Sequence, residues 1–214
     1  MALLEASKIA HGFGSRIVLG PLDLKVEAGE KVALMGDNGS GKTTLLRILA
    51  TLTRPLEGTL SLFAMDAARH RERIRPRLGH LGHASGVYPA LTARQNLEFF
   101  CDLYRLPRAR ARESLLEVGL EAASELPASQ LSRGMEQRLA LARSLLHNPE
   151  LVLLDEPDSS LDETGKELLP RLLRGRTAVV VTHDLDLAGR LCERLITLRR
   201  GRFADGEGAI RLVQ

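Results

Sequence analysis

The sequence is poor in aromatic residues and in long hydrophobic runs, and each shortage excludes a class of protein. It has no tryptophan, and aromatic residues make up only 3% of its 214 residues. The core must therefore consist mainly of aliphatic side chains. No apolar run approaches the roughly 18 residues of a membrane span, and the N-terminus lacks the charged and apolar regions of a signal peptide. We therefore expect a cytosolic protein.

The sequence also has only two cysteines and a small net charge. Cys101 and Cys192 lie far apart in sequence, which favours two buried thiols over a disulfide or a metal-binding pair. The formal charge is only +3, but arginines concentrate in residues 69–77 and 105–112. These ranges are interpreted as solvated surfaces, as contacts to an acidic partner or as contacts to membrane headgroups. Nucleic acid is least favoured, because no base-stacking aromatics are interleaved with the arginines.

The most informative stretch is residues 36–43, Gly-Asp-Asn-Gly-Ser-Gly-Lys-Thr, which fits the phosphate-binding pattern G-x-x-x-x-G-K-[ST]. Glycines allow the backbone N–H groups to point inward at anionic oxygens, and the following helix directs its positive end at them. An apolar strand at 31–35 and an apolar-faced helix from residue 44 give the expected context. The predicted nucleotide-binding residues are Gly36, Asp37, Asn38, Gly39, Ser40, Gly41, Lys42, Thr43 and Thr44.

Two adjacent acids, Asp155 and Glu156, end the apolar strand 151–155. Ligands bind at the carboxyl ends of parallel strands. We therefore predict that Asp155 and Thr43 orient Mg²⁺ and that Glu156 polarises the attacking water as general base. The alternative is a paired surface carboxylate or a helix cap.

Each of the other candidate site residues has two interpretations, a structural role or a role in binding or catalysis. His183 follows strand 177–182 and is either structural or a ligand of a γ-phosphate or of the lytic water. Phe13 either fills the core or stacks on an adenine ring. Ser132 is a good N-cap, and Gly134 permits a close ligand approach at that helix start. Asp162 is predicted to cap a helix, with contact across a dimer seam as the alternative.

The order of the elements predicts an α/β protein in one domain, residues 1–214. Short antiparallel strands, broken at Gly12, Gly14 and Gly20-Pro21, precede the nucleotide core. Residues 92–147 read as a helical block, which Thr92 and Gln95 open with a capping box. Strand–helix alternation then resumes. The remaining predicted elements are strands 58–63, 151–155, 177–182 and 194–198, and a helix near 163–173.

These motifs together resemble the nucleotide-binding subunit of ATP-binding cassette transporters. The phosphate loop, the signature Leu131-Ser-x-Gly-x-x-Gln-Arg138, the Asp155-Glu156 pair, Leu161-Asp162 and His183 occur in the family's order. The resemblance implies a RecA-like core with an antiparallel β subdomain and an inserted helical subdomain. It further implies Mg-ATP hydrolysis, with two subunits closing around two ATP molecules. Phe13 would then stack on adenine, and the signature residues would contact the opposite subunit's ATP.

One position departs from the family pattern. The family's loop glutamine falls at His83, and an imidazole is a poor direct ligand for Mg²⁺. His83 is therefore predicted to reach the metal through water or to couple to a membrane partner. The run from Leu81 to Leu97, and the Ser-Arg-Gly-Met variant of the signature, are similar to the ATP-binding subunit of the cytochrome c maturation haem exporter.

We therefore predict an ATPase that energises separate integral membrane subunits from the inner face of the cell membrane, as a homodimer or pseudo-dimer, without nucleic acid as partner. Two other classes are considered. A soluble cassette ATPase of nucleic-acid repair or translation usually carries paired cassettes or a long coiled coil, which 214 residues do not accommodate. A nucleotide-sensing module without turnover conflicts with the presence of Glu156 and His183.

Overall fold

The chain folds into two β-sheets and a block of helices, in a computed structural model that describes residues 2–204 and 209–211. The strands are β1 (Ala2–Phe13), β2 (Arg16–Glu27), β3 (Lys31–Met35), β4 (Glu57–Leu62), β5 (Met65–Asp66), β6 (Leu78–Leu81), β7 (Leu151–Asp155), β8 (Thr177–Val181), β9 (Arg194–Arg199), β10 (Arg202–Phe203) and β11 (Ala209–Arg211). The α-helices are α1 (Lys42–Leu49), α2 (Arg71–Ile74), α3 (Ala93–Tyr104), α4 (Ala109–Glu117), α5 (Arg133–Leu145), α6 (Glu163–Lys166), α7 (Leu168–Leu172) and α8 (Leu185–Leu191). Short 3₁₀ turns cover Arg75–Arg77, Glu121–Ala123 and Ala128–Gln130.

The first sheet is antiparallel, in the order β2-β1-β4-β5. The predicted breaks at Gly12 and Gly20-Pro21 are wrong: β1 and β2 are continuous strands of 12 residues each, with Gly14 in the turn between them. Pro21 is tolerated within β2 because that strand lies at the edge of its sheet and its register with β1 is irregular between Leu19 and Leu22. Gly20 instead donates its N–H to the carbonyl of Gly201, at 2.9 Å.

The second sheet has the strand order β10-β9-β3-β8-β7-β6, with β11 paired to β9. Strands β6, β7, β8, β3 and β9 run parallel. In the register, Leu34 lies opposite Val181, and Val181 lies opposite Asp155. The segments that follow β3, β7 and β8 therefore leave the sheet side by side, at the carboxyl ends of these strands. This is where the sequence placed the functional residues.

Alternate side chains of the parallel strands supply two hydrophobic cores. Val32 and Leu34 pack towards α1 and the antiparallel sheet, whereas Ala33 packs with α5, α7 and α8 on the other face. Both faces of the sheet are thus covered, which explains why its strands read as continuous apolar runs. Each fully buried leucine or valine contributes roughly 1.5–3 kcal/mol, and this holds the strand ends in place.

Helices α3, α4 and α5 enclose a third core and confirm the predicted helical block. Thr92 and Gln95 form the predicted capping box at the start of α3. Arg108 pairs with Asp102, Arg110 with Glu113 and Glu117, and Arg112 with Glu121. Arg108, Arg110 and Arg112 thus each have a carboxylate partner within the chain.

Two other sequence predictions are resolved by the fold. The helix predicted near 163–173 is divided into α6 and α7, which meet at Glu167. Pro170 has no N–H to continue a regular helical ladder through this segment.

Cys101 and Cys192 are free and buried, as predicted. Across the described ranges, none of the helices has the length and apolar character needed to span a membrane.

Candidate functional site

The phosphate loop lies between β3 and α1, at the carboxyl edge of the parallel sheet. Its glycines Gly36, Gly39 and Gly41 have φ values of 147°, 77° and 108°, which side-chain-bearing residues rarely adopt. At Gly36 a Cβ atom would lie 2.1 Å from the carbonyl oxygen of Leu198. The loop is therefore shaped by backbone conformation and by close backbone approach, as the motif predicts.

Lys42 is buried in this loop with only neutral partners. Its side chain is 6% exposed, and Nζ donates to the carbonyls of Gly36 and Asp37 at 2.7 and 3.1 Å. Among the described residues, no carboxylate lies within ion-pair distance of Nζ. Because Nζ bonds only to uncharged carbonyls and forms no ion pair in the described part of the chain, this position fits an anionic ligand such as a nucleotide phosphate.

Asp155 and Thr43 meet beside the loop. Asp155 is 7% exposed, and the Thr43 hydroxyl lies close enough to affect the pKa of its carboxyl. Burial raises the pKa of Asp155, while the Thr43 hydroxyl and the positive charge of Lys42 oppose the shift. A bound cation would lower the cost of burying this carboxylate, so the two oxygen-bearing side chains fit Mg²⁺, which takes few protein ligands beside substrate phosphates.

His83 lies in the exposed loop that follows β6, the strand next to β7. Leu81, the last residue of β6, lies opposite Leu154 in the register, so the loop that carries His83 begins beside the acidic strand end. Within the described part of the chain, no group of three or more His, Cys, Asp and Glu side chains is arranged to hold a metal. The predicted role of His83 towards a metal stays a prediction.

Glu156 and His183 are in direct contact. His183 Nε2 lies 3.2 Å from Glu156 Oε1, and both side chains are partly exposed. Glu156 has a φ of 49°, in the left-handed region, and its N–H donates to the carbonyl of Val181 at 2.9 Å. Such strained backbone costs about 1–3 kcal/mol and concentrates at functional sites. The predicted proximity of the strand ends is confirmed.

Phe13 projects from the end of β1 and is 63% exposed, which excludes the core-filling alternative. Its ring meets the His11 ring edge to face, with centroids 5.0 Å apart. An exposed aromatic face of this kind is available for stacking on a planar base.

The signature residues begin α5. The hydroxyl of Ser132 accepts from the Met135 N–H at 3.2 Å, which confirms the predicted cap. Gly134 packs closely on the segment after β7, because a Cβ there would lie 3.0 Å from the Ser160 carbonyl oxygen. In the region that the structure describes, no hydrogen bond or ion pair joins Ser132 or Gly134 to the phosphate loop of the same chain.

Asp162 caps α6, since its Oδ1 accepts from the Gly165 N–H at 2.8 Å. The cap interpretation is thus confirmed, and the same residue remains free to lie at a subunit contact.

Sequence reasoning missed three polar residues that support the site. Asn96 is 2% exposed and bonds to Tyr88, Leu91 and Thr92, so it fixes the loop before α3. Asp158 and Thr182 share a hydrogen bond of 3.1 Å. A polar residue on the apolar face of α3 was a signal for Asn96, whereas nothing in the sequence pairs Asp158 with Thr182.

Comparison with known proteins identifies the family. The model of the ABC transporter family matches residues 19–159, which include the phosphate loop, the signature and the Asp155-Glu156 pair. The chain therefore belongs to the ABC transporter family. It is an ATP-binding subunit with the ABC ATPase fold, it hydrolyses ATP, and Mg²⁺ is its cofactor.

Individual relatives cover nearly the whole chain. The Nod factor export ATP-binding protein I of Burkholderia lata is 35% identical over 216 residues, 96% of this chain and 71% of that protein. The phosphate import ATP-binding protein PstB 2 of Natronomonas pharaonis is 36% identical, over 94% of this chain and 78% of its own length. The cassette MJ0796, seen as a dimer with ADP and Pi after hydrolysis, superposes with a TM-score of 0.89 at 31% identity and 99% coverage of both chains.

Proposed function

We propose that this chain energises separate membrane-spanning subunits of an export complex, from the cytoplasmic face of the membrane. The observation that carries the proposal is the contact between Glu156 and His183 beside the phosphate loop. An ATP-binding module without turnover would not need a carboxylate paired with an imidazole at that point. The contact supports an ATPase whose hydrolysis drives work elsewhere.

Each residue of the site has a separate role in ATP hydrolysis. The phosphate loop and Lys42 bind the β- and γ-phosphates, and Phe13 stacks on the adenine. Thr43 and Asp155 would hold Mg²⁺, which would neutralise phosphate charge when bound. Glu156 orients the attacking water and accepts its proton. His183, fixed against Glu156, bonds the γ-phosphate as charge develops on it.

A second copy completes the site in this proposal. Ser132 and Gly134 form a helix N-terminus suited to an anion, yet they are not bonded to the phosphate loop of their own chain. Head-to-tail pairing would place them on the γ-phosphate held by the other subunit, with Asp162 at the seam. The dimeric arrangement of the cassette MJ0796 supports this interpretation.

The membrane partner is proposed to dock beside the helical block. Tyr88 and Phe99 are 46% and 45% exposed and meet with ring centroids 5.2 Å apart, so they form an aromatic surface. Asn96 fixes the backbone of Tyr88, and this loop continues from His83. A cytoplasmic helix bound there would thus act on the loop that begins beside the acidic strand end.

A more specific proposal is that the transported compound is haem, exported for cytochrome c maturation. It rests on His83 in place of the loop glutamine and on the Ser-Arg-Gly-Met signature. The relatives described above are named for Nod factor export and phosphate import instead, so their names do not support haem as the substrate. Export of another compound is the second candidate, which the Nod factor relative favours.

Purification from membranes tests the proposed complex. A tagged chain should co-purify with a multi-span membrane protein from detergent-solubilised membranes, and bound haem in that complex would be seen by its absorbance. Recovery with a persistent nucleic-acid partner instead would favour a soluble ATPase of repair or translation and would contradict the proposal.

The adenine contact gives a separate prediction. Phe13→Ala should weaken ATP binding about 10-fold, because an aromatic stack on a base contributes about 1–3 kcal/mol. Phe13→Tyr should retain the affinity. Calorimetry with Mg-ATP measures both variants, and inorganic tripolyphosphate serves as the control ligand because it lacks a base. An equal loss of affinity for tripolyphosphate would show that Phe13 supports the fold of the loop and not the adenine.

A further inference from the structure

A buried polar contact joins the segment after β7 to the segment after β8. The Thr182 hydroxyl donates to Asp158 Oδ2 at 3.1 Å, and it accepts from the Asp184 N–H at 3.0 Å. Thr182 is fully buried. The hydroxyl is therefore a fixed bridge between the Asp158 carboxyl and the backbone at Asp184.

This bridge holds the residues on both sides of His183. Asp184 is anchored further, because its carboxylate accepts from the Leu187 N–H and pairs with Lys166 Nζ at 2.9 Å. Glu156 is anchored to the end of β8, because its N–H donates to the carbonyl of Val181, the residue before Thr182. The two loops that carry Glu156 and His183 are thus tied together on both sides of their 3.2 Å contact.

Burial of the Asp158 carboxyl is energetically unfavourable. Its Oδ1 is buried and has no hydrogen-bond partner in the described part of the chain. Burial raises the pKa of its carboxyl, and the backbone N–H of Asp158 together with the bond from Thr182 only partly opposes that shift. A buried, half-satisfied carboxyl lowers stability relative to an apolar side chain, so its presence calls for a role other than stability.

We infer that Asp158 is a positioning residue for hydrolysis: through the Thr182 hydroxyl it holds His183 at contact distance from Glu156. This inference rests on the roles proposed above for Glu156 and His183. The function of Asp158 is to keep the imidazole in place against thermal motion of its loop, since a displacement of about 1 Å can cost on the order of 100-fold in rate.

Steady-state ATP hydrolysis by paired variants tests the inference. Asp158→Ala should lower kcat about 10- to 100-fold and leave the calorimetric Kd for Mg-ATP unchanged, because the phosphate loop is untouched. Asp158→Asn keeps an oxygen that accepts from Thr182 and should restore most of kcat. Thr182→Val should match Asp158→Ala, Thr182→Ser should retain activity, and the double variant should be no slower than the slower single variant, since both changes break one connection.

Three results would overturn the inference: full turnover by Asp158→Ala, equal impairment of Asp158→Asn and Asp158→Ala, or multiplying losses in the double variant. The threonine pair decides the matter if Asp158→Ala does not fold. His183→Ala and Glu156→Gln belong in the same series. Turnover by those two variants would contradict the proposed roles themselves, whereas their inactivity beside an active Asp158→Ala would contradict only the positioning by Asp158.

Discussion

Replacement of Glu156 by glutamine is expected to reduce ATP turnover about 10²- to 10⁴-fold, the usual contribution of a general base. Glutamine keeps the shape of the side chain and an oxygen that can contact His183, but it does not accept a proton from water. Mg-ATP binding should persist, because Lys42 and the loop glycines are unchanged. Phosphate release under saturating Mg-ATP measures the first effect, and calorimetry measures the second.

A carboxylate at the opposite end of the same strand provides the control. Glu150 immediately precedes β7 and pairs with Arg77 at the surface, so Glu150→Gln should retain turnover within about twofold, as exposed pairs contribute little. Unchanged hydrolysis by Glu156→Gln would remove Glu156 from its proposed role. Equal losses in the two variants would indicate damage to β7 rather than loss of a base.

Replacement of Lys42 by alanine should weaken Mg-ATP binding by roughly 10- to 100-fold. A hydrogen bond to a charged group contributes about 1.5–3 kcal/mol, and each 1.4 kcal/mol is a factor of ten in Kd. Lys42→Met removes the charge while keeping the aliphatic stem, and it should lose nearly as much affinity. Calorimetry at fixed Mg²⁺ concentration gives the Kd of each variant.

Lys42 also bonds the carbonyls of Gly36 and Asp37, so its loss could act through the shape of the loop. Thermal unfolding without nucleotide separates these effects. We expect a small change in Tm for Lys42→Met, together with a smaller rise in Tm upon adding ATP, since ligand stabilisation follows the ratio of ligand concentration to Kd. Equal ATP affinity in the variant and the native chain would refute the phosphate role of Lys42.

Local signals allowed much of the site to be predicted from sequence. The phosphate loop, the Thr92 capping box and the Ser132 cap each depend on residues within a few positions of one another, where chain geometry leaves few alternatives. The proximity of Glu156 and His183 was also predictable, because both follow apolar strands of one parallel sheet. The helical block 92–147 was predicted from its local signals, and the family resemblance then identified it as an inserted subdomain.

The errors and omissions have a common physical origin. Gly20-Pro21 reads as a break in sequence, but β2 lies at a sheet edge, which only the tertiary fold determines. The contact between Asp158 and Thr182 joins segments 24 positions apart, and no local pattern encodes it. Gly134 is likewise constrained by the Ser160 carbonyl, a contact made by packing and not by helix propensity.

The sequence and the relatives favour different transported compounds. His83 and the signature variant favour a haem exporter, whereas relatives of similar identity are named for Nod factor export and phosphate import. A cassette of this fold hydrolyses the same ATP in each case. We propose that the membrane subunits select the transported compound, and haem absorbance in the purified complex is the test that discriminates between the candidates.

The central claim is that ATP is enclosed between two copies, with Ser132 of one facing the phosphate held by the other. Sedimentation of Glu156→Gln with Mg-ATP, carrying either Ser132→Asn or Ser132→Asp, tests it most directly. Both substitutions preserve the helix cap, and they differ by one negative charge. We predict an ATP-dependent dimer with asparagine and a monomer with aspartate, because the carboxylate would repel the phosphate. Identical behaviour of the two variants, or a strictly monomeric Mg-ATP-bound Glu156→Gln at every concentration, would contradict the account.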